Sequence, residues 1–382
     1  MKGSKSWPAL AAPLAAYKFL AALLVLYSTR LLPPMFDLES FRGNFHWPAD
    51  ETLSASVYFK TWDAQHYLYL SRFGYAPGGE SSRFFPLWPL CIRAGAALVR
   101  SHLVSALLLS NVFSLAAVVL FHAYAARRRG AASADAATLI LLAYPGALFF
   151  GLPYSESLFV LLAVVFLYAL DLQRWRWVAA AAFLLPLTRS VGAAALAPLL
   201  LQVWERRRRR EKIPTGLWAC LAAPLLGIAA YLLFMRAAVG DAFYLFGSWS
   251  SQNLIADARL SKLFDVPGFL RALAGVGSFH GPLDSAVDRL FFVAFVLACV
   301  RLWRTDKTLF AFALPLGLIP ATTVSFWGFT RYLLAAVPVF LAAGDWFAAS
   351  ERRKGWLWLT AASLFAVQVL FLFRHINNYW VG

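Results

Sequence analysis

Acid is scarce in this chain, with 19 Asp and Glu against 35 Lys and Arg over 382 residues, a formal net charge of +16. Such an excess suits nucleic acid when the cations form one patch. Here they sit in short clusters between apolar runs, as in cytoplasmic loops, which disfavours nucleic-acid binding. Cysteine is rarer still. Cys91, Cys220 and Cys299 each lie within an apolar run, odd in number and without CxxC or Cys/His spacing, which speaks for packing. His46, His102, His122, His280 and His375 show no HExxH or other ligand spacing, so neither metal nor cofactor is expected. The absence of GxGxxG and GxxxxGK[ST] removes nucleotide chemistry within the chain. No internal repeat and no long disordered linker is evident. The N-terminal apolar run, 7–32, exceeds a signal core and has no A-x-A site after it, so it reads as an uncleaved first span.

Apolar length is what the chain has instead. Hydrophobic residues make up 61% and charged residues 14%, and runs of about 18 to 23 residues recur with almost no charge, the length that crosses a bilayer. The reading is an all-α polytopic membrane protein, one integral membrane domain over 1–382. Lys2 and Lys5 place the N-terminus in the cytoplasm, and residues 33–83 form a first large external loop. Residues 84–99 carry Pro86, Pro89 and Arg93 and would span only about 24 Å as a helix, so they are expected as an embedded or re-entrant half-helix. Parity agrees, because it puts Arg127, Arg128 and Arg129 inside. Further crossings are expected over 103–126, 136–152, 158–170, 177–187, 192–204, 216–239, 290–303, 309–324, 332–347 and 356–373. With the first, that makes about eleven transmembrane helices, a second large external loop over 240–284 and an external C-terminal tail. Arg206 to Arg210 is the strongest inside marker.

The stretch 61–89, TWDAQHYLYLSRFGYAPGGESSRFFPLWP, organises the rest. On a helix Asp63, His66, Tyr67 and Leu70 share one face. In this topology Asp63, His66, Arg83, Tyr154, Ser155, Glu156, Arg189, Asp241, Gln252, Trp327 and Arg331 all fall on the outer side. Ionisable groups at membrane depth are costly and are functional or paired by default, as for Glu156 and Arg189. Each also has a plainer explanation. Asp63 in a first turn is favoured by the helix dipole whether or not it reacts, His66 serves as well as an interfacial hydrogen bonder, and the aromatic residues as interface belt. A transporter would gather charges near the midplane in repeated halves. Polar groups in external loops point to an enzyme at the outer surface, with a transporter or lipid flippase, or a non-catalytic scaffold, as alternatives.

WDAQHYLYLSRFGY followed by FFPLWPL, then YPGALFFGLPYSESLFVLLAVV, LTRSVG, GDAFYLFGSWSSQN and RYLLAAVPVFLAAG resemble, in that order, the GPI mannosyltransferase II (PIG-V) family and its bacterial relatives. The resemblance implies a GT-C-type helical bundle that takes a sugar from a polyprenyl or dolichyl phosphate and inverts the anomeric centre. It also implies a catalytic acid in the first external loop, a position that matches Asp63. Where many such enzymes carry paired acids, Asp63 has no acidic neighbour in sequence, leaving Glu156 or Asp241 to assist. Donor binding is expected at Arg189 and Arg331, which suit a lipid phosphate, then at Arg83, with Tyr154 and Glu156 orienting sugar hydroxyls or the arginines and with His66, Asp241 and Gln252 nearby. The expected partners are a polyprenyl-phosphate-linked sugar, a lipid or glycan acceptor and membrane lipids. Mannose is expected, with glucose or arabinose as alternatives. High Ala and Arg content and the absence of a C-terminal retention signal imply a bacterial plasma membrane.

Overall fold

The computed structural model describes residues 18–20, 22–23, 27, 35–49, 54, 56–245, 264–323 and 325–382. The expected first span and Gln252 lie wholly or largely outside the described residues. The fold is all-α, and among the described residues the only β-pairing is an isolated bridge of Ser278 with Ser285. The chain divides into two compact units, one of Met1–Phe73, Pro89–Ser157 and Ala343–Val381, the other of Gly74–Trp88, Leu158–Ala342 and Gly382.

Among the described residues three helices are long and apolar enough to cross a membrane: His102–Arg129, Thr215–Val239 and Glu351–Ile376. A fourth crossing requires counting Ala131–Ala143 and Pro145–Gly151 together, and these are bent by 78°. Among the described residues single helices therefore do not confirm the expected count of about eleven. Apolar runs that read as continuous are interrupted in the chain's path. The run expected over 192–204 begins as a 3-10 turn, Ser190–Ala195, before Leu196–Arg208. The run over 332–347 is a short helix, Phe329–Leu333, then a break, then Pro338–Ala348. The segment 84–99 is helical only over Leu87–Val99.

In the first unit the helix His102–Arg129 opens on Ser101, whose Oγ accepts from the Val104 amide at 3.3 Å, an N-cap of the usual kind. It ends at Gly130, where φ is +85°. That backbone favours glycine and turns the chain at once into Ala131–Ala143. The second helix stops at Tyr144 and Pro145, which frees carbonyls that apolar surroundings cannot solvate. Side chains from within the unit meet them. Gln368, wholly buried, donates through Nε2 to Leu142 O at 3.0 Å and Tyr144 O at 2.6 Å. Ser114 donates to Phe150 O at 3.2 Å and Ser110 to Leu152 O at 2.6 Å.

In the second unit the helix Trp175–Thr188 packs closely along Thr215–Val239. A Cβ at Gly227 would stand 2.3 Å from Phe183 O, so a residue without a side chain lets the two backbones meet. The C-terminal end of the long helix carries Tyr231, Met235 and Val239, onto which Tyr75, Phe85 and Tyr244 pack. Phe85 stacks on Tyr231 with centroids 4.6 Å apart, and Tyr75 meets Phe234 edge-on at 4.9 Å.

Candidate active site

Each unit collects part of the expected constellation. In the first, Asp63 opens the helix Asp63–Phe73 and Glu156 opens Glu156–Asp171, so both carboxylates stand in the first turn, at the positive end of a helix dipole. Two hydrogen bonds tie these openings together. Tyr154 Oη donates to Thr61 O at 2.9 Å, and Tyr67 Oη lies 3.1 Å from Ser155 Oγ. Thr61, Tyr67, Tyr154, Ser155 and Glu156 are all buried, while Asp63 is half-buried. The residue between Thr61 and Asp63, Trp62, has φ +54°, a left-handed backbone uncommon for a bulky side chain. Its indole Nε1 is buried without a hydrogen-bond partner. Strain and an unsatisfied donor thus sit immediately before the acid.

His66, one turn after Asp63, is buried under Phe45, whose ring stacks on it at 4.3 Å with an interplanar angle of 15°. Trp47 N donates to Gln65 Oε1 at 3.1 Å, so the segment before the helix folds back over its first turns. Tyr154 is framed by Phe149 at 4.9 Å and His375 at 5.4 Å.

In the second unit Arg189 ends Trp175–Thr188 with an extended backbone, and its guanidinium lies 5.0 Å above the ring of Tyr332. Arg331, buried at 6% exposure, precedes that tyrosine in Phe329–Leu333. The two arginines assigned to phosphate are therefore brought into one neighbourhood. The turn leading there is left-handed at Ser325, Phe326 and Gly328, with φ of +52°, +67° and +64°. It is held from a distance. Asp288, with no exposed surface, accepts at Oδ1 from Thr330 N at 2.7 Å and Thr330 Oγ1 at 2.6 Å. Its other oxygen lies 3.8 Å from His280 Nδ1, which itself lies 2.8 Å from Ser285 Oγ. Arg289 donates to Ala272 O, Ser285 O and Leu283 O and places its guanidinium 4.9 Å from the Phe326 ring.

Arg83 and Asp241 stand in adjoining segments of the second unit, since Tyr244 Oη donates to Gly79 O at 3.1 Å. Both are engaged locally. Arg83 pairs with Glu80 at 3.0 Å, and Asp241 accepts from Phe243 N at 2.8 Å in a turn after Gly240. Glu156 shares the first unit with Asp63 and is tied to the opening of its helix, and Asp241 belongs to the second unit.

Sequence reasoning missed Asp288. Ser285-Ala-Val-Asp288 has the spacing of a capping box, and Ser285 Oγ does accept from Asp288 N at 3.1 Å. That pattern accounts for the acid within its own helix and hides its partner, 42 residues away.

Residues 23–206 match the model of a family described as Mannosyltransferase (PIG-V), which bears out the resemblance seen in the motifs from WDAQHYLYLSRFGY to LTRSVG. Asp63, His66, Arg83, Tyr154, Glu156 and Arg189 lie inside the matched stretch; Asp241, Gln252 and Arg331 lie beyond it. No curated protein matches the sequence. Among solved structures, the chain is similar to the apo oligosaccharyltransferase of Archaeoglobus fulgidus, with 13% identity, TM-score 0.50 and coverage of 99% of this chain and 57% of that one. The same enzyme with Zn and sulfate gives 13% identity, TM-score 0.49 and coverage of 95% and 53%. The archaeal oligosaccharyltransferase AglB with an inhibitory peptide and a dolichol-phosphate gives 12% identity, TM-score 0.48 and coverage of 99% and 57%. The chain spans little more than half the length of these proteins. The likeness to the apo enzyme shows a GT-C-like fold, and the apolar helices together with the family match mark an integral membrane protein.

Proposed function

We propose that this chain, PIG-V-like over residues 23–206, is a membrane glycosyltransferase. In this reading it moves a sugar, mannose by the family's description, from a polyprenyl phosphate to a lipid or glycan acceptor on the extracytoplasmic side. The acceptor hydroxyl attacks C1 of the sugar, the C1–O bond to phosphate breaks with inversion, polyprenyl phosphate leaves, and the hydroxyl proton passes to Asp63. General-base help of this kind contributes about 10² to 10⁴ in rate.

The observation that carries the reading is the stitching of the Asp63 helix to the Tyr154–Glu156 turn through Thr61 and Tyr67. It gives a half-buried carboxylate a fixed direction and a second acid at a neighbouring helix start. Glu156 is the acid assigned to assist. The leaving phosphate is assigned to Arg189 and Arg331, because a guanidinium meets two phosphate oxygens at once. Tyr332 under Arg189 and Asp288 behind Thr330 hold that pair of segments.

The test is turnover of a polyprenyl-phosphate-linked mannose by the purified full chain. Asp63→Asn keeps the shape and should abolish product while the protein stays folded in detergent; retained turnover rejects the base. Arg189→Lys and Arg331→Lys should each raise KM for the donor, since lysine cannot bind bidentately. Thiol labelling at engineered positions 63 and 189, after replacement of Cys91, Cys220 and Cys299, should report the same side of the membrane. Opposite sides would end the proposal.

A further inference from the structure

The second unit holds an apolar groove of about 470 Å³ between the helices Ala286–Thr305 and Lys307–Thr323. Phe292, Val296 and Val300 form one wall at helical spacing, and Leu314 and Leu318 form the other. Val296, Val300 and Leu318 remain well exposed, so the groove opens outward along the helices. One end is cationic. Arg304 lines it, and Lys307 places Nζ 5.1 Å from the Trp303 ring, which meets Phe310 edge-on at 5.0 Å. The acid beside them, Asp306, has an oxygen accepting from Leu309 N at 3.1 Å to cap the next helix.

Length and charge together choose the occupant. From Phe292 to Arg304 is twelve residues, about 18 Å of helix, close to one leaflet of a hydrocarbon core of about 30 Å. Apolar walls of leaflet depth with two cations and an interfacial tryptophan at the headgroup level fit a single anionic lipid. We propose that this groove binds an anionic phospholipid of the surrounding bilayer, one acyl chain along Phe292–Val300 and the phosphate against Arg304 and Lys307. The headgroup end is distinct from the arginines assigned to the donor. Asp288, which holds the Arg331 segment, lies sixteen residues before Arg304 on the same helix, about 24 Å along its axis. The leaflet is the one marked by Arg304 and Lys307, the cytoplasmic leaflet in the topology expected from the charges.

Native mass spectrometry of the full chain in neutral detergent tests this without reference to turnover, with dioleoylphosphatidylglycerol and dioleoylphosphatidylcholine as probes. Wild type should retain one phosphatidylglycerol per chain, saturably, and phosphatidylcholine more weakly. The pair Arg304→Gln and Lys307→Gln should weaken phosphatidylglycerol binding about thirtyfold, to the phosphatidylcholine level. Val300→Trp, which fills the groove, should displace both lipids while helical circular dichroism is kept. Equal retention of the two lipids by wild type would overturn the proposal, as would undiminished phosphatidylglycerol on the Gln pair. A dimer that forms as lipid is lost would assign the groove to a second copy instead. Should Val300→Trp fail to fold, the Gln pair decides alone.

Discussion

Two broken stretches of backbone, one in each unit, lead into residues assigned to chemistry, and they are repaired in opposite ways. In the first unit the chain breaks after Ala143 and frees carbonyls, and donors meet them: Gln368, Ser110 and Ser114, with Lys18 Nζ also donating to Phe150 O at 2.6 Å. In the second unit the chain re-enters a helix at Phe329, which frees amide N–H groups, and a buried carboxylate, Asp288, meets one of them together with the Thr330 hydroxyl. The end of the helix that is exposed decides the type of repair. Carbonyls need a donor, which a hydroxyl, an amide or an amine supplies. Amide groups at a helix start need an acceptor, and the dipole there favours a negative one. Residues assigned to chemistry in the proposal follow each repair, Tyr154 and Glu156 after the first and Arg331 within the second.

If these frames support and the residues they present react, substitutions in the two classes should separate. Asp63→Asn has the largest expected effect, a fall in turnover of about 10² to 10⁴ with melting temperature nearly unchanged. A fall in both would move Asp63 into the frame. Asp288→Ala comes next, leaving two donors unsatisfied at about 1–3 kcal/mol each, so it should lower stability strongly. Asp288→Asn, which keeps an acceptor, should recover much of that loss while donor KM stays raised, a split that a purely structural acid would not produce. Gln368→Leu removes one amide serving two carbonyls and should cost about 1–3 kcal/mol, less than Asp288→Ala. Equal costs would erase the difference between the Gln368 and Asp288 repairs. Tyr154→Phe should cost about 0.5–1.5 kcal/mol and lower turnover through the position of Asp63, leaving donor KM alone. Arg83→Gln breaks a partly exposed pair and should change stability by about 0–1 kcal/mol; a larger loss of activity would return Arg83 to the donor site.

Much of the first unit's candidate site can be read in the sequence because its parts are close together or carry strong local signals. Asp63 after Thr61, the apolar face of its helix and PYSESL before a long apolar run can all be read from spacing. Legibility failed wherever a side chain answers a distant break. Gln368 sits in an otherwise apolar helix and reads as an isolated polar residue until Leu142 and Tyr144 are placed beside it. Asp288 reads as a cap. Glu156 and Asp241 stand as alternative companions to Asp63 in the sequence for the same reason, since neither is its neighbour there.

Hydropathy and charge are properties of short stretches, and for that reason the sequence by itself determined that this is a helical membrane protein with its polar residues gathered into a few segments. Where an apolar run breaks, and which remote hydroxyl, amide or carboxylate compensates the break, depends on contacts between residues tens to hundreds of positions apart. Those contacts exist only once the helices have packed, and so the tertiary structure alone decided how Tyr154 anchors the approach to Asp63 and how Asp288 holds the turn that carries Arg331.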